Sequence, residues 1–98
     1  MSDFSIGSTV WPGTSKVIEE MGELMQVLGK LIAVAGDTKH WDGDLRSKLI
    51  EEIADLSAAL DFFETVNLTP QEALQVSERI AKKKQLFHQW HANPRKPQ

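Results

Sequence analysis

The sequence predicts an all-α protein. Along three segments, apolar residues recur at intervals of three and four, which is the spacing of amphipathic helices. Turn-forming residues separate these segments, and no stretch alternates apolar and polar residues for long enough to predict a sheet. With 98 residues, 41% of them hydrophobic, the chain has the size and composition of one folded domain.

The first helix is expected to follow an irregular N-terminal arm, residues 1–13. The arm mixes serine, glycine and threonine and ends in Trp11-Pro12-Gly13, which is typical of a turn. Apolar residues then repeat from Thr14 or Ser15, so we expect the helix to begin there and to end near Gly36.

A loop and a second helix are predicted next. Residues 36–44 are rich in turn formers, and Asp42 or Asp44 can cap the helix that follows, from about Leu45 to Val66. A loop this short makes the first two helices antiparallel neighbours.

The third helix has a clear start signal in Thr69-Pro70-Gln71-Glu72. Thr69 can cap the helix, proline suits its first position, and Glu72 can close a capping box. We expect this helix to end near His91, so that the helical domain covers residues 14–91 and a disordered tail covers residues 92–98.

Composition restricts the possible partners and location. A net charge of −3 argues against a nucleic-acid-binding surface, and no stretch approaches the ~20 apolar residues of a membrane span. The N-terminal residues lack a secretion signal, so we expect a cytoplasmic protein. A short chain without cysteine gains core by self-association, which predicts a homodimer or homotetramer.

Four carboxylates occupy unusual helix positions. At about 100° per residue, Glu20 falls inside the apolar arc of the first helix and Glu23 lies at its border. On the second helix, Glu52 lies near the centre of the apolar stripe and Asp55 at its margin. Glu19 projects on the polar side. Each helix therefore presents two acids, three residues apart, to its neighbour.

Converging carboxylates repel one another, so they require raised pKa values or a cation. Oxygen ligands without interleaved cysteine or histidine favour Mg²⁺ or Mn²⁺ over zinc. The alternative for Glu20 and Glu52 is a partner lysine or arginine from another helix.

The two acidic motifs resemble the signature of MazG-like nucleotide pyrophosphohydrolases, an all-α superfamily. Its Glu-Glu-x-x-Glu run, spacer and Glu-x-x-Asp run are matched here by Glu19-Glu20-Met21-Gly22-Glu23 and Glu52-Ile53-Ala54-Asp55. The resemblance spans residues 14–91. It implies a three-helix protomer whose bundle is completed by dimerisation.

The same resemblance implies an activity, the hydrolysis of a nucleoside triphosphate to the monophosphate and pyrophosphate by water attack at the α-phosphorus. Glu20, Glu23, Glu52 and Asp55 would then hold magnesium against the triphosphate. Glu19 would orient or deprotonate the attacking water.

Three further residues are candidates for substrate binding. In the family, basic residues on the third helix hold phosphates, which implicates Lys83, although asparagine is usual at its position. In the first loop, Trp41 can stack on a nucleobase while Lys39 meets a phosphate. The simpler interpretation of Trp41 is a hydrophobic lid over the end of the bundle.

Two other functions fit the pattern. Phosphoribosyl-ATP pyrophosphohydrolases belong to the same broad superfamily and cleave the same bond. A non-catalytic helical interaction module would instead use Glu20 and Glu52 to pair with lysine or arginine across a dimer.

Overall fold

A computed structural model of the protein describes residues 11–35, 37, 39–40 and 43–93. It contains the helices α1 (Thr14–Ala33), α2 (Leu45–Asn67) and α3 (Pro70–Ala92). The all-α prediction is confirmed, and the predicted helix starts agree with the structure. Most of the predicted arm, residues 1–10, and most of the predicted tail, residues 94–98, lie outside the described residues, so those assignments stay predictions.

The connection between α1 and α2 contains a short pairing that the sequence did not predict. Strands β1 (Lys39–His40) and β2 (Gly43–Asp44) are antiparallel, with Lys39 opposite Asp44 and His40 opposite Gly43. Two residues per strand are too few to show an alternating pattern.

Backbone geometry sets both ends of α1. Gly13 precedes the helix at φ 92°, a conformation that glycine adopts without steric cost. The helix ends at Ala33, earlier than the predicted Gly36. Ala35 takes φ 55°, in the left-handed region that stops helix propagation.

Side-chain caps begin the other two helices. Asp44, one of the two predicted caps, accepts hydrogen bonds from the Arg46 amide at 3.0 Å and the Ser47 hydroxyl at 3.1 Å. Asp42, the other candidate, lies outside the described residues. The predicted capping box of α3 is confirmed, because Thr69 Oγ1 accepts from the Glu72 amide at 3.1 Å and Glu72 Oε1 accepts from the Thr69 amide at 3.0 Å.

The chain divides into two compact units, residues 1–67 and residues 68–98. In the first, α1 and α2 pack antiparallel. Asn67 Nδ2, at the end of α2, donates to the Pro12 carbonyl at 2.8 Å, just before α1 begins. Trp11 stacks on Phe63 with ring centroids 6.2 Å apart. These contacts fix the register between the two helices, which positions the acidic residues of each.

Only part of the predicted apolar surface is covered. Val27 and Leu45 are buried in the first unit. Along α1, however, a second apolar face is exposed, made by Ile18, Met21, Met25, Leu28 and Ile32. These residues repeat at the three- and four-residue spacing that predicts an amphipathic helix. A helix that packs against one neighbour buries only the residues that face that neighbour.

The same limit applies to α2 and α3. On α2, Ile53 and Leu60 are exposed. On α3, Ile80, Phe87 and Trp90 are exposed as well. No described helix combines the length and the apolar composition that crossing a membrane requires.

Candidate metal centre

Three carboxylates meet where α1 packs on α2. Glu20 comes from α1, and Glu52 and Asp55 come from successive turns of α2. One oxygen from each of these three residues lies within 4.8 Å of the others. Packing two antiparallel helices brings the acids together because each lies on the side facing the neighbouring helix. We call Glu20, Glu52 and Asp55 the carboxylate cluster.

The cluster extends from a buried side to an exposed side. Glu52 is only 5% exposed, Glu20 is half-buried, and Asp55 is exposed. Within the part of the chain that the structure describes, Glu20 Oε1 and Glu52 Oε1 are buried and have no hydrogen-bond partner. A buried charged oxygen without a partner is costly, so this arrangement requires a proton or a cation at the cluster.

Glu20 carries a raised pKa. Burial is the main cause, because it removes water from the charged carboxylate. The negative charges of Glu23, Asp55 and Glu19 add to the effect, and the positive charge of Lys16 opposes it. The carboxyl group therefore retains its proton to a higher pH than an ordinary glutamate does.

The pKa of Glu52 is raised for similar reasons. Burial is again the largest cause, followed by the negative charges of Glu23 and Asp55. A carboxyl–carboxyl hydrogen bond with Glu23 raises it further, while Lys48 opposes the shift. Such a hydrogen bond needs a proton on one of the two acids.

Glu23 is the predicted ligand that lies outside the cluster. It is exposed, but its charge acts on both Glu20 and Glu52, and it hydrogen-bonds the latter. The structure thus brings three of the four predicted metal ligands together and places the fourth beside them.

Glu19 projects away from the helix interface, as its wheel position predicted. Its Oε1 accepts a hydrogen bond from Lys16 Nζ at 2.7 Å, and both side chains are largely exposed. This bond and the negative charge of Glu19 raise the pKa of Lys16. Lys16 was not predicted as part of the site, although its position one turn before Glu19 and Glu20 was a usable signal.

Two cavities adjoin the carboxylate cluster. The larger, about 610 Å³, is bordered by polar residues that include Glu23, Lys30, Lys48 and Glu52. The smaller, about 270 Å³, is lined by Lys16, Glu20, Asp55, Ala58, Ala59 and Phe62. Every cluster residue therefore lines one of the two spaces.

The three predicted substrate contacts are distributed along the chain. Lys39 is exposed in β1, where its amide donates to Asp37 Oδ1 at 3.0 Å. Trp41 lies outside the described residues. Lys83, on α3 in the second unit, places its ammonium 5.5 Å from the centre of the Phe87 ring and 5.9 Å from that of Trp90. These aromatic rings attract the lysine charge.

The carboxylate cluster could hold a divalent metal ion. Its ligands are all carboxylate oxygens, the donor type that suits magnesium, manganese and calcium. Its two buried oxygens have no hydrogen bond that would compete with a cation. The residues present therefore fit the metal that the sequence motifs imply.

Comparisons of the chain with protein-family models, curated proteins and solved structures give no match. The resemblance carried by the two acidic motifs thus stays an expectation. The case for a function rests on the chemistry of the carboxylates and of the two cavities beside them.

Proposed function

We propose that this protein is a magnesium-dependent nucleoside triphosphate pyrophosphohydrolase, which converts its substrate to the nucleoside monophosphate and pyrophosphate. The observation that carries this proposal is the pair of buried, unpartnered oxygens of Glu20 and Glu52. Two such oxygens from different helices favour a cation site over an ordinary solvated acidic surface.

In this proposal, Glu20, Glu52 and Asp55 hold Mg²⁺, with Mn²⁺ as a substitute, and Glu23 completes the set. A lysine partner is a weaker explanation of the buried oxygens. The charges of Lys16 and Lys48 act on the two glutamates, but no lysine hydrogen-bonds Glu20 Oε1 or Glu52 Oε1 within the described ranges. Lys16 hydrogen-bonds Glu19 instead.

Bound at these carboxylates, a divalent ion supplies charge neutralisation for phosphate oxygens and acidifies a neighbouring water molecule. The water oxygen bonds to the α-phosphorus as the bond from that phosphorus to the β-phosphate oxygen breaks. Glu19, the proposed catalytic residue, orients this water and accepts its proton once Lys16 moves to a phosphate. Pyrophosphate leaves with the electrons of the broken bond.

A phosphate chain suits the larger cavity. Its lining carries the lysines Lys30 and Lys48 and the acids Glu23, Asp44, Glu51 and Glu52, so the phosphates would bind there together with their magnesium ion. Lys39 and Trp41, from the connection between α1 and α2, and Lys83, from α3, are proposed as additional substrate contacts.

A homodimer is proposed as the working form, with a homotetramer built from it as the alternative. The exposed apolar face of α1, from Ile18 to Ile32, runs along most of that helix. A second copy of the chain brings an identical face, so the two faces can cover each other about a two-fold axis. This pairing would complete a helical bundle.

The proposed reaction is tested by pyrophosphate release from a panel of ribonucleoside and deoxyribonucleoside triphosphates, with Mg²⁺ and with EDTA. Asp55→Asn is the inactive variant. Asp61→Asn is its matched control, because Asp61 is an exposed aspartate on the same helix outside the cluster. We expect metal-dependent release that Asp55→Asn abolishes and Asp61→Asn retains. Equal activity of the two variants would exclude the cluster as the active site.

Phosphoribosyl-ATP belongs in the same panel, because its cleavage breaks the same type of bond. If only this compound releases pyrophosphate, the enzyme belongs to the alternative substrate class. Activity on ordinary nucleoside triphosphates supports the leading proposal.

A helical interaction module is the alternative of a different kind, and the exposed face of α1 favours it. Such a module should gain no thermal stability from Mg²⁺. Light scattering after size-exclusion chromatography gives the oligomeric state of the protein and of Met25→Glu, a change on that face. A dimer that Met25→Glu dissociates supports the interface under either function.

A further inference from the structure

The two cavities beside the carboxylate cluster differ in chemistry. The larger is lined mostly by charged and polar residues, which include the lysines Lys30 and Lys48 and the acids Glu23, Asp44, Glu51 and Glu52. The smaller is lined by the apolar side chains of Ala58, Ala59 and Phe62 together with Lys16 and two of the cluster residues. A nucleoside triphosphate also has two chemically different ends, because its phosphate chain is highly charged and its base is a flat ring with apolar faces.

The size of the smaller cavity restricts what it can hold. Its volume of about 270 Å³ is just below the ~300–1,000 Å³ of pockets that enclose a complete small ligand. It therefore suits one ring system rather than a whole nucleotide. Ala58 and Ala59 create the space, since longer side chains at either position would fill it.

Phe62 is the aromatic residue that lines the smaller cavity, and its ring packs against the backbone of Gly13. A Cβ atom placed on Gly13 would lie 3.2 Å from the Phe62 ring, so the ring rests directly against the glycine backbone. The ring remains 43% exposed. The ring therefore packs against Gly13 and stays partly accessible, which is what base stacking requires.

We propose that the smaller cavity binds the base of the substrate against Phe62, while the phosphate chain crosses the carboxylate cluster into the larger cavity. This inference rests on the proposed function and adds the orientation of the substrate. The α-phosphate, which joins the nucleoside to the leaving pyrophosphate, then lies at the cluster. Because Glu20 and Asp55 line one cavity and Glu52 lines the other, the cluster lies between the two ends.

Lys16 has a defined part in this arrangement. It lines the smaller cavity and bonds Glu19 at 2.7 Å. A phosphate oxygen can replace the Glu19 carboxylate as the acceptor for this ammonium, which frees Glu19 for water. The reverse orientation is disfavoured, because it would place the charged pyrophosphate against the apolar side chains of Ala58, Ala59 and Phe62.

The test blocks the smaller cavity without changing any charged group. Ala58→Leu should fill it, and Ala81→Leu is the matched control on α3, outside the cavity and exposed. Stacking on an aromatic side chain contributes roughly 1–3 kcal/mol per base, so we expect the KM for the best nucleoside triphosphate to rise about 5-fold or more in Ala58→Leu. In Ala81→Leu the KM should equal that of the original protein.

A probe without a base separates base binding from general damage. The inhibition constant of tripolyphosphate should be the same in Ala58→Leu and in the original protein. Phe62→Ala should reproduce the rise in KM, and Phe62→Trp should restore affinity. Circular dichroism establishes that each variant is folded. An unchanged KM in both Ala58→Leu and Phe62→Ala, or an equal loss of tripolyphosphate inhibition, would overturn the proposed orientation.

Failure of the proposed function would look different. In that case the original protein releases no pyrophosphate from any compound of the panel. The cavity is then tested by calorimetric titration with an α,β-methylene nucleoside triphosphate in Mg²⁺. Weaker binding to Ala58→Leu than to Ala81→Leu supports the base site. Equal binding to the two variants, or no binding to the original protein, contradicts it.

Discussion

Glu20 on α1 and Glu52 on α2 bring carboxylate oxygens within 4.8 Å of each other, and each also buries an oxygen that has no hydrogen-bond partner among the described residues. Folding therefore concentrates negative charge at the interface between the two helices. Two apolar side chains of similar size would pack at these positions without the electrostatic cost of two buried carboxylates. Packing alone therefore does not explain why carboxylates lie there. The predictions below follow from this cost and from the geometry around it.

Glu52→Gln should abolish activity and leave the fold intact. The substitution keeps the size of the side chain while removing a proposed ligand, together with a charge that repels Glu23 and Asp55. Loss of residues that only support a metal ligand typically lowers activity 10- to 100-fold, so we expect a loss of about 100-fold or more here. In EDTA the variant should melt at a higher temperature than the original protein. An unfolded variant by circular dichroism would contradict this prediction.

Glu64→Gln is the control for that substitution. Glu64 is a half-buried glutamate of the same helix, outside the carboxylate cluster. The Glu64→Gln variant should have nearly the same activity as the original protein in the same pyrophosphate assay. A large loss would mean that the catalytic face of α2 differs from the one assigned here.

In EDTA, thermal stability should increase as the pH is lowered from neutral toward the ordinary glutamate pKa. The folded state raises the pKa of both Glu20 and Glu52, mainly through burial and then through the charges of Glu23, Asp55 and, for Glu20, Glu19. At pH values between the ordinary and the raised pKa, the folded state binds more protons than the unfolded state does. Stability therefore falls as the pH rises through this window. Lys16 and Lys48 oppose the shifts without reversing them.

The measurement is the melting temperature in EDTA at a series of pH values from 7 downward. Glu52→Gln should show a smaller slope, because one of the two shifted groups is gone. A melting temperature that rises steadily with pH across the window would contradict the assigned pKa directions.

Magnesium should stabilise the protein, and Asp55→Asn should weaken that effect. A ligand that binds only the folded state at 100 times its Kd adds about 2.7 kcal/mol to the free energy of unfolding. For a chain of this size, that corresponds to a rise of roughly 10–20 °C in melting temperature. Differential scanning calorimetry in Mg²⁺ and in EDTA measures the rise. Asp61→Asn should show the full effect, and a rise retained in Asp55→Asn would place the ion elsewhere.

The sequence predicted the helices well because their ends carry local signals. The capping box of Thr69 and Glu72 and the side-chain cap from Asp44 each depend on residues within a few positions of one another. The acidic positions could be predicted for a related reason. Glu52 lies near the centre of the apolar stripe of α2, which predicted that it faces the neighbouring helix, and it is buried.

Features that depend on three-dimensional packing could not be predicted in this way. Helical periodicity shows that α1 is apolar over a wide arc, but it does not show which part of that arc meets α2. Val17 and Ile18 belong to the same apolar repeat, yet Val17 is half-buried and Ile18 is exposed. The smaller cavity was missed because Ala58, Phe62 and Lys16 carry no shared motif, and only the register of α1 against α2 brings them together.

Two glycine substitutions should change stability in opposite directions. Gly13 has φ 92°, and an added Cβ would lie 3.2–3.3 Å from Phe62, so Gly13→Ala meets both backbone strain and a close contact. A left-handed conformation costs a residue with a Cβ roughly 1–2 kcal/mol, and we expect a destabilisation of at least that size.

Gly29 lies within α1, and nothing is within 4 Å of an added Cβ. Because alanine is a better helix former, Gly29→Ala should stabilise by about 0.5–1 kcal/mol. Urea unfolding of both variants measures the two effects, and a Gly13→Ala protein as stable as the original would refute the contact between Gly13 and Phe62 that supports the proposed base site.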